Sequence, residues 1–522
     1  MVVSKRDFLI RIGQVAGAGV LYSVMQGLGH FHVAQGATQT PVIPKGQSGN
    51  KSVLILGGGI AGLSAAYELM QAGYDCRLLE ASDIVGGRCR TLRRGDAVFE
   101  SGADAQICKF DKGLYMNAGP ARIPSAHQAV LGYCRTFGID LEVFINNNRS
   151  ALFQDDRIND GHPVESRQVH HDTAGLISEL LAKAIDGHLL DEELGDIHID
   201  RLFAFLGRFG ELDYYGTYAG GGRSGYESLP GAFEKRGRLR RPLELKDLLS
   251  SDFWRWKMYF EEEFFQQATM FQPVGGMDAI VRAFADRLGD RIETRAAVTE
   301  IHNTENGVQA TFNADGSEGK VVNADFCICT LPLKVLAGVT TNLSAQHKEA
   351  VRSVAYMPVV KIGYQANRRF WEEDDAIYGG ISYINHPITQ IWYPCSGYHS
   401  GKGIMVGAYA FHGDAVRLSA MTPKKRYETA KTAGSKLHPQ IGSEVGRPIS
   451  VAWHNMPLAK GAWAVWRRDQ RGNEYRTLSK PDRNMYFAGE HMSWLPGWQE
   501  GAVLSAHEVV SSIHERAQTS KG

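Results

Sequence analysis

Three glycines in the pattern G-x-G-x-x-G, at Gly57, Gly59 and Gly62, stand between a short apolar run and a segment with the apolar spacing of a helix. A second apolar run follows and ends at Glu80, 18 residues after Gly62. This order predicts a strand, a helix and a second, parallel strand in a right-handed unit. The glycines together with the later acid are typical of a dinucleotide-binding turn, whereas the glycines alone would also fit an ordinary tight turn.

Each part of this turn has a physical role toward a dinucleotide. The glycines let the backbone approach a pyrophosphate, whose charge is stabilised by the N-terminus of the helix. Glu80 can accept hydrogen bonds from a ribose diol, and its charge would repel a 2′-phosphate. We therefore expect a ligand of the NAD or FAD type and not of the NADP type.

Composition excludes several classes of partner. Lys plus Arg total 57 and Asp plus Glu total 57 in 522 residues, so the formal charge is zero. A nucleic-acid or anionic-membrane partner would need a basic excess. The seven cysteines are an odd number and most lie in apolar runs, which indicates buried thiols and not a disulfide framework. We expect no metal site, because no cysteine or histidine cluster has ligand spacing.

Residues 1–48 are interpreted as a leader and linker outside the fold. Lys5 and Arg6 precede a weakly apolar, glycine-rich stretch, a pattern similar to a bacterial twin-arginine export signal with Lys5 in place of the first arginine. That stretch is too polar for a stable membrane anchor. The signal predicts a bacterial protein exported to the periplasm. A disordered leader on a cytoplasmic protein is the alternative.

Further motifs follow the dinucleotide turn and carry a family resemblance. They are VGGR at 85–88, ESGA at 100–103, PVGGM at 273–277, TLP at 330–332, Lys361, YFAGE at 486–490 and GWQEGA at 497–502. In this order they resemble the flavin amine oxidase superfamily, which includes monoamine oxidases and L-amino acid oxidases. The resemblance spans the folded chain and implies FAD as the cofactor.

The resemblance implies which residues bind FAD. Glu490 would bond the ribityl chain, with a capping or surface acid as the alternative. The helix that begins at Gly501 and Ala502 would direct its free N–H groups at the flavin ring. The full set is Gly57, Gly59, Ile60, Ala61, Gly62, Glu80, Ala81, Gly86, Gly87, Arg88, Gly119, Pro120, Ala121, Arg122, Val298, Gly489, Glu490, Gly497, Trp498, Gly501 and Ala502. We expect non-covalent FAD, because no cysteine follows Cys395, where covalent family members carry one.

Arg122 distinguishes between amine and amino-acid substrates. It lies among apolar residues and prolines, where a charge is poorly solvated and needs an anion. Its planar fork matches a carboxylate, and the segment resembles the one that holds the substrate carboxylate in L-amino acid oxidases. The alternative is a structural pair with an aspartate or glutamate.

The remaining substrate residues are assigned by resemblance. Trp392 and Tyr393 point to opposite faces of one strand, so only one of them can reach the carboxylate, and we assign that role to Tyr393. Gly497 and Trp498 would contact the substrate amine, and Trp463 would form a second aromatic wall. Further candidates for lining the site, which fit a core equally well, are Tyr214, Tyr215, Tyr218, Trp254, Trp256, Phe264 and Gln267.

Lys361 is the predicted catalytic residue. In a strand it shares one face with Val359 and Gly363, and an apolar face is unusual for a charged side chain. We expect Gly363, which has no side chain, to leave room for a ring. The matching lysine of the family bonds a water beside the flavin and promotes reaction with O₂. A solvated edge-strand lysine is the alternative.

The sequence thus predicts an α/β fold in which a Rossmann-like FAD domain (50–115, 268–345 and 475–517) is interleaved with a substrate domain. That domain would comprise a helical region, 116–267, and a strand-rich part, 346–474. The predicted function is oxidative deamination of L-amino acids by FAD and O₂, giving 2-oxo acid, ammonia and hydrogen peroxide. An amino-acid 2-monooxygenase, an amine or polyamine oxidase and a non-catalytic FAD protein are the alternatives. A homodimer is the default expectation.

Overall fold

The computed structural model describes residues 43, 50–190, 196–314 and 316–519. The predicted leader therefore lies outside the described residues, apart from Ile43. A five-stranded parallel sheet forms the centre of the first half of the fold. Its strands, in spatial order, are Ile292–Glu293, Asp75–Leu79, Ser52–Leu56, Phe326–Cys329 and Met485–Phe487.

This parallel sheet is covered on both faces, as its continuously apolar strands require. Helices Ile60–Gln71, Asp278–Leu288 and Gln499–Thr519 share one apolar core with Val53 and Ile55. Leu54 and Leu56, the alternate residues of strand Ser52–Leu56, pack on the opposite face against a second, mixed sheet. The strands of that sheet are Ser317–Ala324, Gly307–Ala314, Ala296–Thr304 and Thr340–Thr341.

A seven-stranded mixed sheet forms the second half. Its strands, in order, are Val164–Glu165, Leu152–Gln154, Ile381–Ile384, Gln390–Trp392, Gly403–Phe411, Val359–Ala366 and Val445–Ala452. Helices His412–Ser419 and Pro423–Gly434 contribute to the apolar core on one face. The other face turns toward the cavities described below. The α/β fold class predicted from the sequence is confirmed.

The segment 116–267 is less helical than predicted. Four strands within it join larger sheets: Ile123–Pro124 and Leu141–Phe144 flank Met270–Pro273, and two more lie at the edge of the seven-stranded sheet. Strands of two to four residues are too short to show a repeated alternation of apolar and polar residues. Their formation depends on the strands they pair with, and not on their own sequence. The helices of the segment are Gln128–Phe137, Ser166–Asp186, Asp196–Phe209 and Leu245–Ser250.

Short elements complete the described chain. The helices are Leu333–Leu336, Ala345–Ser353, Phe370–Glu373, Ile441–Glu444, Arg468–Gly472 and Glu474–Leu478. The strand pairs are Thr91–Leu92 with Met116–Asn117, Ala97–Val98 with Gln106–Ile107, Tyr226–Ser228 with Arg238–Leu239, and Ala355–Tyr356 with Ala464–Val465. All seven cysteines are buried free thiols.

Two kinds of feature are absent from the described residues. No helix among them combines the length and the apolar character needed to cross a membrane. No group of His, Cys, Asp and Glu in the same part of the chain is arranged to hold a metal ion.

Candidate active site

The glycine-rich turn forms between strand Ser52–Leu56 and helix Ile60–Gln71. Gly57 has a φ of +102°, which L side chains rarely adopt. Gly62 lies so close to the strand end that a Cβ there would stand 2.0 Å from the Gly57 carbonyl oxygen. A Cβ on Gly59, in contrast, would meet nothing within 4 Å. The turn is thus tightly packed on its protein side and open at Gly59, as the approach of a pyrophosphate requires.

Three adjoining cavities extend from this turn, here called the outer, middle and inner cavities. Of the predicted residues, the outer cavity is lined by Gly57, Gly59, Glu80, Ala81, Gly87, Arg88 and Val298. The middle cavity is lined by Gly59, Ile60, Ala61, Gly86, Arg88, Gly119, Pro120, Lys361, Trp463, Gly489, Glu490, Gly497, Trp498 and Ala502. The inner cavity is lined by Gly119, Pro120, Ala121, Arg122, Lys361, Trp463, Gly497 and Trp498. Neighbouring cavities share wall residues, so the elongated space they form can accept an extended dinucleotide that ends beside a smaller ligand.

Four residues predicted to bind the cofactor do not line the outer or middle cavity. Gly62 and Gly501 are packed against backbone, since a Cβ on Gly501 would stand 2.5 Å from the Leu495 carbonyl oxygen. Ala121 and Arg122 line the inner cavity. The two glycines are required for close packing, and the other two residues belong to the inner cavity.

Glu80 ends the second parallel strand with its carboxylate in the wall of the outer cavity. One oxygen accepts a hydrogen bond from the Gly58 N–H at 2.7 Å and the other from the Ser82 N–H at 2.8 Å. Burial raises the pKa of Glu80, and these backbone hydrogen bonds oppose the rise. A carboxylate oxygen can accept a second hydrogen bond, so Glu80 both fixes the turn and remains an acceptor for a ribose.

Arg88 and Glu490 form an ion pair across the middle cavity wall, with 2.6 Å between Nη1 and Oε1. Arg88 also donates to the Ala462 carbonyl at 2.8 Å, and Glu490 accepts from the N–H of Ala464 and of Gly497. Burial alone would lower the pKa of Arg88, but the Glu490 charge, the nearby Tyr356 and the hydrogen bond to Glu490 together raise it. Glu490 is buried, which removes the surface-acid alternative. Its carboxylate connects three segments of the cavity wall, through Arg88, Ala464 and Gly497.

The last helix begins at Gln499, two residues earlier than predicted. The buried Glu500 carboxylate accepts hydrogen bonds from the N–H groups of Ala129 and Val130, at 2.9 Å each. These donors lie in the first turn of helix Gln128–Phe137, where N–H groups lack partners within the helix. Glu500 thus anchors a second helix, while Ala502 faces the middle cavity.

Arg122 lies at the inner cavity with its guanidinium among aromatic rings. Its Cζ is 4.6 Å from the centroid of the Trp392 indole and 5.7 Å from those of Phe260 and Trp498. Nε and Nη2 donate to Gln266 Oε1 at 3.2 and 2.6 Å. No carboxylate of the described chain pairs with it, which removes the structural ion-pair alternative there. Burial lowers the pKa of Arg122 despite the opposing effect of nearby tyrosines, as expected for a cation without a counter-ion.

The assignment of Tyr393 to the substrate carboxylate is wrong. Its hydroxyl is bonded to Ser382 Oγ at 2.6 Å and His438 Nε2 at 2.5 Å, within the apolar core on the far face of the sheet. The neighbouring Trp392 faces the inner cavity and contacts Arg122. Strand alternation separated the two residues correctly, but the resemblance selected the wrong one.

Lys361 is buried at the boundary between the middle and inner cavities. Its Nζ donates to the carbonyls of Gly119 at 2.6 Å and Asn117 at 3.2 Å. Burial, and secondly the Arg122 charge, lower the pKa of Lys361 to about 7. The solvated-edge alternative is therefore excluded. The expected space at Gly363 is absent, because a Cβ there would stand 2.3 Å from the Met116 sulfur.

Six aromatic residues line the inner cavity, but they are not those expected from the helical region. Tyr214 and Tyr215 are 90% and 85% exposed, and neither lines the cavity. The wall residues not predicted are Phe260, Gln266, Trp392, Tyr409, Phe411 and Pro496. Tyr409 is the direct cross-strand partner of Lys361, so pairing the two strands would have revealed it. No sequence signal separates Gln266 from its exposed neighbour Gln267.

Comparisons with known proteins agree with this arrangement. A family model described as flavin containing amine oxidoreductase matches residues 60–514. The chain is 27% identical over 507 residues to the L-amino acid oxidase bordonein-L of Crotalus durissus terrificus, with 91% of this chain and 89% of that protein covered. It is 25% identical to an L-amino-acid oxidase of Demansia vestigiata, again covering 91% and 89%.

Solved structures with the same fold include amine oxidases. A putrescine oxidase bound to putrescine superposes with a TM-score of 0.59 at 17% identity, covering 89% of this chain and 98% of that one. The cyclohexylamine oxidase of Brevibacterium oxydans gives 0.61 at 16% identity, covering 90% and 100%. At this identity the structures establish the fold alone. The family match covers nearly all of the described chain, and the protein belongs to the flavin-containing amine oxidoreductases.

Proposed function

We propose that this flavoenzyme oxidatively deaminates L-amino acids, and that Arg122 recognises their carboxylate. The observation that carries the proposal is a desolvated guanidinium with no carboxylate partner in the described chain. Nε and Nη2 are held by Gln266, and Nη1 donates to no described residue. The free N–H groups are thus available to a carboxylate, which a guanidinium binds in the most favourable geometry when both oxygens take part.

The charge of the inner cavity favours amino acids over simple amines. Arg122 and Lys361 line it, and no acidic residue of the described chain does. The putrescine oxidase neighbour carries putrescine, a molecule that is cationic at both ends at neutral pH. Two such ammonium groups would be repelled by the Arg122 charge, and by Lys361 where it is protonated. An amino acid instead brings a carboxylate, and the aromatic walls suit a large apolar side chain.

The residues of the chain position the substrate for oxidation. Arg122 holds the carboxylate, while Gly497 and the rings of Trp463 and Trp498 border the space for the amine. FAD, when bound, supplies the oxidant that accepts a hydride from Cα and passes the electrons to O₂. Water then converts the imine to 2-oxo acid and ammonia, with hydrogen peroxide as the second product. The substrate amine must be neutral, so we propose that no side-chain base is needed.

The walls of the outer and middle cavities suit FAD. Gly59 is open, Glu80 offers an acceptor, and the last helix directs its first turn at the middle cavity. We propose non-covalent binding. Cys89 lines the middle cavity, but burial raises the pKa of its thiol despite the opposing hydrogen bond from Gln499, so the nucleophilic thiolate is disfavoured. Acid precipitation should release all of the yellow chromophore, and chromophore retained by the precipitate would contradict this proposal.

One product assay tests the function against its alternatives. The holoenzyme is mixed with each L-amino acid and with putrescine and cyclohexylamine, and 2-oxo acid, ammonia, peroxide, amide and CO₂ are measured. We expect 2-oxo acid, ammonia and peroxide from apolar amino acids only. Amide and CO₂ would identify a 2-monooxygenase, and turnover of amines alone an amine oxidase. A flavin that no substrate bleaches without O₂ would indicate a non-catalytic protein.

Export and association are proposals of a different kind. We propose that residues 1–48 act as an export leader in a bacterial host and that the folded chain forms a homodimer. The leader proposal is supported by Lys5-Arg6 and the glycine-rich stretch that follows. Cell fractionation of the full chain and light scattering of the purified protein test the two in turn.

A further inference from the structure

Arg122 and Lys361 are two basic groups that both lie near the indole ring of Trp392. Arg122 Cζ is 4.6 Å and Lys361 Nζ 5.4 Å from the Trp392 centroid, so the two groups are no more than about 10 Å apart (4.6 Å plus 5.4 Å). Lys361 also lies over the ring of Tyr409, 4.6 Å from its centroid. Both cations are desolvated, and aromatic faces and neutral oxygens are their only partners in the described chain.

The groups around Lys361 leave Arg122 as its one strong electrostatic neighbour. Tyr409 faces it across the strand pair, and burial raises the phenol pKa, so this ring stays neutral. On the middle-cavity side, Arg88 and Glu490 compensate one another in an ion pair.

An imidazole also borders this cavity, since His127 packs edge-on against the wall residue Trp498 with ring centroids 4.8 Å apart. Burial lowers the pKa of His127 to about 4, so it is neutral at physiological pH. The Lys361 amine is consequently the group in this cavity whose charge state can respond to a neighbour near pH 7.

We propose that Arg122 and Lys361 act as a coupled pair, in which a carboxylate bound at Arg122 shifts the Lys361 equilibrium from amine toward ammonium, with the proton taken up from solvent. This rests on the proposed function, because it requires Arg122 to bind a carboxylate. The anion cancels the Arg122 charge that disfavours a second cation nearby. The charged fraction of Lys361 thus rises when an amino acid or its 2-oxo acid is bound.

The size of the effect follows from the distance. Two unit charges about 10 Å apart at an effective dielectric constant near 20 change each other's proton affinity by roughly tenfold. Starting from a Lys361 pKa of about 7, a carboxylate ligand would move it to roughly 8. Binding at pH 7.5 should then take up about half a proton, and binding at pH 5.5 or 9.5 almost none.

Titration calorimetry of the holoenzyme measures this proton directly and requires no turnover. The ligand is 3-phenylpropanoate, which has a carboxylate and an aromatic group but no amine to oxidise, and 3-phenylpropanamide is its uncharged control. Each is titrated in buffers of different ionisation enthalpy, since the dependence of the heat on that enthalpy gives the number of protons exchanged. We expect uptake with the acid that peaks near pH 7.5, and none with the amide.

Two variants assign the proton to Lys361. Lys361→Met has no titrating group there, and Lys361→Arg keeps its charge across this pH range, so both should bind 3-phenylpropanoate without proton uptake. Uptake that persists in the folded Lys361→Met protein would overturn the proposal, as would wild-type binding without uptake between pH 6.5 and 8.5. If the acid binds no more tightly than the amide, Arg122 does not recognise a carboxylate and the proposed function itself is contradicted. Tighter binding of the acid without proton uptake contradicts only the coupling between Arg122 and Lys361.

Discussion

Replacing Arg122 by alanine should remove amino-acid recognition while leaving the fold and the flavin in place. The guanidinium has lost much of its water and is held by Gln266 and Trp392, so it is already oriented for an anion. Without it, a substrate carboxylate would be desolvated and unpaired. Removing one member of such a pair costs about 3–5 kcal/mol. At about 1.4 kcal/mol per tenfold change, kcat/KM should fall by roughly two to four orders of magnitude.

The assay compares substrates with and without a carboxylate in the same variants. Arg122→Lys should recover little, because an ammonium keeps the charge but loses the planar fork. Residual turnover of phenethylamine, which is phenylalanine without its carboxylate, should fall far less or even rise. Peroxide release gives kcat/KM, and visible absorbance gives the flavin content.

Arg426 provides the matched control. This buried arginine forms an ion pair with Glu100 through two hydrogen bonds, at 2.9 and 2.8 Å, away from the three cavities. Arg426→Ala should lower the melting temperature and affect all substrates alike. The reasoning on Arg122 is refuted if Arg122→Ala behaves in that way, or if it retains near wild-type kcat/KM on every amino acid that the parent oxidises.

Three further outcomes follow from the described contacts. Gly59→Val should yield folded protein with little flavin, measured as the absorbance ratio, because the side chain enters the cavity; full flavin content would contradict this. Tyr393→Phe should leave KM for amino acids unchanged but reduce the free energy of unfolding in urea by about 1–3 kcal/mol, since Ser382 and His438 lose a buried partner; a raised KM with intact stability would restore the original assignment. Burial raises the pKa of Glu261 to about 7, so its contribution to stability is present below its unfolded pKa and lost as the pH rises through 7. Glu261→Gln should thus raise the melting temperature at pH 8 and not at pH 4, and an equal change at both would refute the argument.

The nucleotide-binding part of the fold was predictable because its constraints are local. The strand, turn, helix and strand from Ser52 to Leu79 follow from continuous apolar runs and from the glycine spacing of the turn. Gly57 and Gly62 prove necessary for packing, and Gly59 for openness, as the sequence pattern indicates. Such features depend on residues close together in the chain.

The inner cavity was predicted less well because its walls come from distant segments. Alternation separates Trp392 from Tyr393, but which of the two faces the cavity depends on how the sheet packs against the helices on its far side. Gln266 reaches Arg122 across 144 residues, from a short helical turn that has no periodic signal. The space at Gly363 is filled by Met116, again from a remote strand. The sequence shows which chemical groups are available. Which of these groups line the same cavity depends on the tertiary packing.

The N-terminal half of the fold depends on the last segment of the chain, because Glu500 accepts the hydrogen bonds from Ala129 and Val130. The fold can therefore be completed only after that segment has been synthesised. Strand Met485–Phe487 and helix Gln499–Thr519 emerge from the ribosome after every other element described, yet they complete the parallel sheet and one wall of the middle cavity. Until then helix Ile60–Gln71 lacks the partner that covers its apolar side. We therefore expect the cofactor to bind only after this segment has been synthesised. Deletions within 485–519 should expose apolar surface and cause aggregation, a more severe effect than the loss of one terminal helix would suggest.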